Sequence, residues 1–275
     1  MLRQLTLACG LLAGSFSAQA AVVTYTDFSD TSGLSLNGSA STQITGDGSV
    51  LRLTPAASTQ SGSAFSSATV NAADFSTYFQ FRITQPGGSL FDCNTSTGAD
   101  GIVFVAQSVS SSVGGAGGGI GYAGIADSVG VEFDTWCNGI TNDPSSNHVG
   151  IITGGSVVHG AGSPFTANVS PDFDNGELWH AWVDYDGSEL EVRLSENAAR
   201  PADALLTRAL DIPSLLGGVD DAFVGFTSGT GGAWGNHDIV FWEYRDQFAP
   251  VGLVPVPGSA LLLLFGGLLL RRKLS

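Results

Sequence analysis

Residues 131–151 read VEFDTWCNGITNDPSSNHVGI. Glu132, Asp134, Asn138, Asp143 and His148 all stand inside this one segment. Four of them carry oxygen donors, three of those being carboxylates, and the fifth carries an imidazole. Glu132 and Asp134 are two positions apart on a run whose other members include Val129, Val131 and Phe133. Side chains alternate between faces along a strand, so both carboxylates point the same way. Asn138, Asp143, Pro144 and Asn147 are turn formers and read as a loop. His148 then opens a second apolar run, His-Val-Gly-Ile-Ile. A strand–loop–strand unit that returns an imidazole toward two carboxylates has the make-up of a metal cage. Hard oxygen donors suit calcium, and an added imidazole suits a transition metal such as manganese beside it. The plainer alternative for the same residues is a solvated acidic turn.

The same period-two pattern recurs outward from this segment. Residues 50–54 form a short alternating run, and residues 75–83 (FSTYFQFRI) alternate over a longer one. Residues 179–185 (WHAWVDY) alternate as well, and Asp186-Gly187 leads directly into 189–194 (ELEVRL), which predicts a hairpin with a tight turn. Residues 223–226 and 239–244 are late strands. Ser214-Leu215-Leu216, between Pro213 and Gly217, fits a single helical turn. Many short strands separated by glycine- and serine-rich loops predict an all-β antiparallel sandwich, and 275 residues suit one large β domain.

The opening segment resembles the metal-binding loop of the L-type (legume-like) lectins, because Glu132, Asp134, Trp136, Asn138, Asp143 and His148 keep that family's order and spacing. The resemblance implies a concanavalin-like jelly-roll sandwich of antiparallel sheets and two bound ions. Glu132 and His148 are then expected to hold the transition metal, Mn2+ or another. Asp134 and Asp143 bridge both ions, and Asn138 with the backbone carbonyl of Trp136 holds Ca2+. Three further segments resemble the same family. Gly98-Ala99-Asp100-Gly101 is similar to the loop whose aspartate accepts hydrogen bonds from sugar hydroxyls across a cis Ala-Asp bond. The glycine run 117–122 is similar to the loop that offers a backbone N–H to the sugar, from Gly118 or Gly119. Residues 225–239 are similar to the late specificity loop and its strand, which brings Gly232 and Ala233 to the sugar. Ala233 stands where some relatives carry a carboxylate. The similarity runs from about Thr26 to Tyr244. In this picture Trp136 stacks its indole on the sugar ring, while Trp234 is either a second contact or core. The resemblance also draws the segments holding Cys93 and Cys137 together, which in an exported protein implies a disulfide between them; two buried free thiols are the alternative.

These expectations point to a metal-dependent carbohydrate-binding protein rather than an enzyme. Jelly-roll glycoside hydrolases place a third carboxylate after a Glu-x-Asp start, and here Thr135, Trp136 and Cys137 follow instead. A structural matrix protein with a silent sugar site is a further alternative. His159 and His180 have no partner pattern and read as structural or solvated, and His237 and Asp238 read as strand or loop structure.

All 25 acidic residues lie between positions 21 and 250, against only Arg52, Arg82, Arg193, Arg200, Arg208 and Arg245 among the basic ones, a net charge near −19. Phosphate binding needs a positive surface, so nucleic acid is excluded as a partner. Residues 1–20, with Arg3, an apolar run and Ala18-Gln19-Ala20, read as a secretory signal peptide. That leaves residues 21–250 as the domain. Residues 251–275 place Val254-Pro255-Val256-Pro257 before an apolar run and Arg271-Arg272-Lys273. This order resembles the PEP-CTERM sorting signal of Gram-negative bacteria. The resemblance implies transient inner-membrane anchoring, processing by an exosortase-type enzyme, and delivery to the cell surface or extracellular matrix. Glycans or exopolysaccharide are then the expected partners.

Overall fold

The computed structural model describes residues 23–252 apart from Asp92, Thr95 and Ala116. The signal segment expected at residues 1–20, and all of the sorting segment expected at 251–275 except Val251 and Gly252, therefore lie outside the described residues. In chain order the strands are β1 (Val23–Tyr25), β2 (Leu34–Gly38), β3 (Ser41–Thr45), β4 (Gly48–Thr54), β5 (Ser61–Ser66), β6 (Val70–Asn71), β7 (Phe75–Gly88) and β8 (Gly101–Gln107). They continue as β9 (Ser128–Asp134), β10 (His148–Thr153), β11 (Thr166–Asn168), β12 (Trp179–Tyr185), β13 (Glu189–Ser195), β14 (Leu206–Ala209), β15 (Asp221–Gly229) and β16 (Ala233–Arg245). The helical turn expected near Pro213 is α1 (Ile212–Leu215), capped by Asp211, whose side chain accepts from the Ser214 N–H.

Two sheets carry the fold. The first runs β14-β13-β12-β7-β16-β4-β3, with β1 also paired to β16; the second runs β11-β10-β9-β8-β15-β5-β2, with β6 paired to β15. Every pairing among the described residues is antiparallel. The alternating residues of β7 explain the packing. Phe75, Phe79, Phe81 and Ile83 turn inward to the core between the sheets, while Tyr78, Gln80 and Arg82 face out. There they meet Phe104, Phe133 and Phe226 from the second sheet and Trp242 from the first. Aromatic rings bury large areas and interlock edge to face, so this core does most to hold the sheets together. The predicted hairpin pairs Tyr185 with Leu190, and Asp186 Oδ1 closes its turn by accepting the N–H groups of Ser188 and Glu189, each at 2.8 Å.

The second sheet is covered on both faces. Val131, Phe133, Val149 and Ile151 belong to the core. On the opposite face Val103, Val105 and Ile152 pack with Ile120, Tyr122 and Ile125 of the glycine loop. The outward face of β9 and β10 is thereby roofed by loops, and Glu132, Asp134 and His148 lie on that roofed face.

Candidate metal centre and the loops beside it

The register of three strands assembles the cluster. His148 lies opposite Asp134 and Gly150 opposite Glu132 across the β9–β10 pair, while Val103 of β8 lies opposite Glu132 on its other side. Directly opposed residues share a face, so both carboxylates and the imidazole point into the same space. Gly150 keeps that space open: a Cβ there would collide with Glu132 Oε1 and stand 3.1 Å from His159 Cε1. His148 Nδ1 lies 3.0 Å from the Ser145 carbonyl. That contact places the proton on Nδ1 and leaves Nε2 as a lone-pair donor toward Glu132, 3.4 Å from Oε1.

The third member of the cluster is His159. Its Nε2 stands 2.7 Å from Glu132 Oε1 and 3.7 Å from Asp143 Oδ1. The donor atoms of Glu132, His148 and His159 lie within 4.8 Å of one another, and all three residues are buried. Of the two roles expected for His159, structural or solvated, its burial removes the second. His159 follows His148 by eleven positions in a glycine- and serine-rich stretch, with no spacing that marks it as a ligand. Tertiary contacts bring it in: its N–H donates to the Thr141 carbonyl at 2.8 Å, and its carbonyl accepts from Asn142 Nδ2 at 2.9 Å. Despite the short separations, both Glu132 oxygens and the Nε2 atoms of His148 and His159 are buried without an aligned hydrogen-bond partner among the described residues. Buried polar atoms are almost always paired, so orphaned donors on Glu132, His148 and His159, one from each within 4.8 Å of the others, fit a cation between them.

The loop carboxylates brace the segment that follows. Asp134 Oδ1 accepts the Trp136 N–H at 2.6 Å. Asp143 accepts the Asn138 N–H at 2.6 Å on one oxygen and the Thr141 hydroxyl at 2.7 Å on the other. Burial, with Glu132, Asp143 and Asp100 close by, pushes the Asp134 carboxyl well above the usual carboxylate range. Burial also raises Asp143. Burial acts to raise Glu132 too, but the two imidazoles outweigh it and hold its carboxyl below the ordinary value. His159 is raised, since Glu132 and Asp143 together overcome its desolvation. Crowded buried carboxylates of this kind are what a bound cation would neutralise.

A second group of polar residues adjoins the cluster. The Ala99–Asp100 peptide bond is cis, as the resemblance implied. Asp100 is held by its backbone, its N–H donating to the Gly229 carbonyl and its carbonyl accepting from the Thr135 N–H, both at 3.0 Å. Its Oδ2 is buried without a partner among the described residues, and burial pushes its carboxyl up to about 7. A Cβ on Gly231 would stand 3.7 Å from that oxygen and 3.9 Å from Gly117 Cα. A Cβ on Gly118 would stand 2.9 Å from Asn138 Oδ1, whereas one on Gly119 would meet Ala123. Asp100, Asn138, Gly118 and Gly231 thus border one small region, with Gly118 rather than Gly119 against Asn138.

The aromatic arrangement differs from expectation. Trp136 is only 1% exposed and packs with Ala99 and Ala233, so its ring is not an open platform. Ala233 is buried beside it, and Gly232 is the exposed member of that pair. The exposed ring is Phe91, unassigned from the sequence. It lies 4.6 Å from Trp136 at 58° and beside Gly232, and is 48% exposed. A Cys93–Cys137 disulfide, Cα atoms 5.4 Å apart, staples the Phe91 segment to the loop after β9. Asn94 reinforces it by accepting the Cys137 N–H at 2.7 Å. Trp234 is half-buried against Gly87. His237 and Asp238 are buried strand residues, bonded to Thr54 and Arg52.

Over residues 23–243 the sequence matches the family described as the legume lectin beta-barrel domain. The chain belongs to the legume-type lectins. Among curated relatives, the lectin domain is 32% identical over 209 residues to the L-type lectin-domain containing receptor kinase VIII.1 of Arabidopsis thaliana, covering 74% of this chain and 27% of the relative. It is 35% identical over 124 residues to the receptor kinase SIT2 of Oryza sativa subsp. japonica, covering 42% of this chain and 18% of the relative. The chain thus spans about a quarter or less of the length of these relatives. Among solved structures, the basic winged bean lectin with Tn-antigen aligns with a TM-score of 0.63 at 27% identity, over 81% of this chain and 96% of that one. The acidic winged bean lectin complexed with methyl-α-D-galactose aligns with a TM-score of 0.64 at 26% identity over the same shares. These neighbours are lectins, and the domain is a carbohydrate-binding fold rather than a glycoside hydrolase.

Proposed function

We propose that this lectin domain binds glycans, in a way that depends on cations, outside the cell that makes it. Asp100, Asn138 and the Gly118 backbone would hold one sugar ring. The observation that carries this reading is the unpartnered, buried Asp100 Oδ2 bordering the same small space as Asn138 and Gly118. An acceptor kept dry and unpaired gains most from a ligand hydroxyl, because leaving it empty is costly. Phe91 offers the apolar face against which sugar C–H groups would rest.

Glu132, Asp134, Asp143, His148, the Trp136 carbonyl and Asn138 would hold the ions, a calcium and a transition metal, as the family resemblance implies. Bound there, they would supply fixed positive charge that neutralises the carboxylates. The chain's own part is positional. Asp143 and Asp134 fix the backbone from Trp136 to Asn138 through the N–H bonds described above, and that backbone aims the Asn138 amide at that small space.

The end segments support export by a signal peptide and delivery to a bacterial cell surface or matrix through a sorting signal, where exopolysaccharide would be the ligand. The test is a glycan array on the oxidised domain, residues 21–250, with calcium and manganese and again after chelation. The array would include galactosides, since two matched lectins are described with galactose or Tn-antigen bound. Metal-dependent binding to a defined glycan set supports the reading. A folded, metal-loaded domain that binds nothing would sink it in favour of a structural matrix role.

A further inference from the structure

The cluster around Glu132 contains one imidazole more than the expected ligand set, and that addition changes which ion it suits. We propose that His159 is a direct ligand. Added to Glu132, His148 and the neighbouring Asp134 and Asp143 carboxylates, it gives the site two imidazoles instead of one, which selects a borderline ion of the zinc class over manganese. This rests on the metal-dependent reading of the same site and deepens it.

Three observations carry the assignment. His159 Nε2 is buried, aimed at Glu132 Oε1 and 2.7 Å from it, yet without the alignment of a hydrogen bond. An ordinary histidine–carboxylate pair would satisfy at least one of the two carboxylate oxygens, and here both are orphaned with both Nε2 atoms. The position is also built. Gly150 leaves the hollow that Glu132 and the His159 ring fill, and two hydrogen bonds tie the His159 backbone to Thr141 and Asn142 of the opposing loop. Finally, the two rings meet edge to face, 5.5 Å apart at 85°, so neither blocks the other's nitrogen.

The chemistry follows from donor type. Carboxylate- and carbonyl-rich sites suit manganese, magnesium and calcium, whereas each added imidazole favours later, softer ions. Any nitrogen-containing site prefers zinc to manganese to some degree, so the informative quantity is how much of that preference His159 supplies.

The experiment uses the oxidised, secreted protein stripped with chelator and titrated with Zn2+ or Mn2+ alone, the wild type beside His159→Ser and His159→Asn. X-ray absorption on the zinc-loaded wild type counts imidazoles without recourse to a variant. The expected results are two imidazoles in the wild type and one in either variant. The zinc-to-manganese affinity ratio is expected to fall at least tenfold on substitution, with circular dichroism unchanged. One imidazole in the wild type, or an unchanged ratio in a folded variant, overturns the proposal while leaving metal-dependent glycan binding intact. A wild type that takes up neither ion overturns both readings together.

Discussion

Replacing Cys93 and Cys137 together by serine tests how much of the domain's stability comes from constraining the chain. The bridge joins residues 44 apart in sequence. A crosslink over that separation lowers the closure entropy of the unfolded chain by roughly 13 cal/mol/K, which is about 4 kcal/mol at 25 °C. The segment enclosed is the one that matters for the site. It contains β8, the glycine loop, β9 and the Asp100 peptide. Asn94 would still hold the Cys137 backbone through its two hydrogen bonds, so local docking survives in part and the expected net loss is about 3–4 kcal/mol. The assay is equilibrium urea unfolding of both proteins in chelator, because a bound ion would add its own linkage to the folded state. A fall of that size moves the urea midpoint by roughly 1–2 M, with a steeper slope because the uncrosslinked chain unfolds to a more exposed state. Metal and glycan affinity should weaken as well, since Phe91 is then less firmly held over Trp136. A loss below about 1 kcal/mol would refute the reasoning, showing that the bridge restrains little that the fold does not already restrain.

Asp100→Asn removes the carboxylate acceptor and, at pH 8, above its raised value of about 7, should weaken glycan binding by roughly 10- to 100-fold, the worth of a charge-assisted hydrogen bond, with metal uptake nearly unchanged; calorimetry with the best array ligand reads both. Gly150→Ala drives a Cβ into Glu132 Oε1, so metal affinity should drop at least tenfold and stability by about 1–3 kcal/mol from overpacking. Wild-type uptake in that variant would show that the hollow is not needed. His237 is held down to about 3 by burial and by the nearby Arg52 guanidinium. Its neutral form therefore stabilises the fold fully above its ordinary value near 6.5, and that contribution is lost as pH falls from there toward 3. Between pH 6.5 and 4.5 the loss is about 2 kcal/mol. His237→Gln should flatten the stability slope over that range, and equal slopes in urea melts of the two proteins would contradict it.

Much of the fold was legible because strand signals are local. The alternation in residues 75–83 and 179–185 and the Asp186-Gly187 turn each appear where the pattern placed them. The shared face of Glu132 and Asp134 needed only the two-residue period of a strand, and register with β10 then put His148 beside them. The disulfide and the cis bond before Asp100 followed from family resemblance rather than from periodicity. The sequence patterns of the loops did not reveal which of them would meet. His159 lacks ligand spacing and arrives through contacts with Thr141 and Asn142. Phe91 meets Trp136 on a segment that a disulfide anchors. Trp136, read as an open platform, is closed over by that same segment.

What this sequence determined by itself is the set of strands and the face each side chain takes, because pleating is a property of neighbouring residues. What only the tertiary structure decided is which loop residues complete the site. Loop positions are settled by closure against distant segments, so His159 and Phe91 gain their places from contacts that no local pattern encodes.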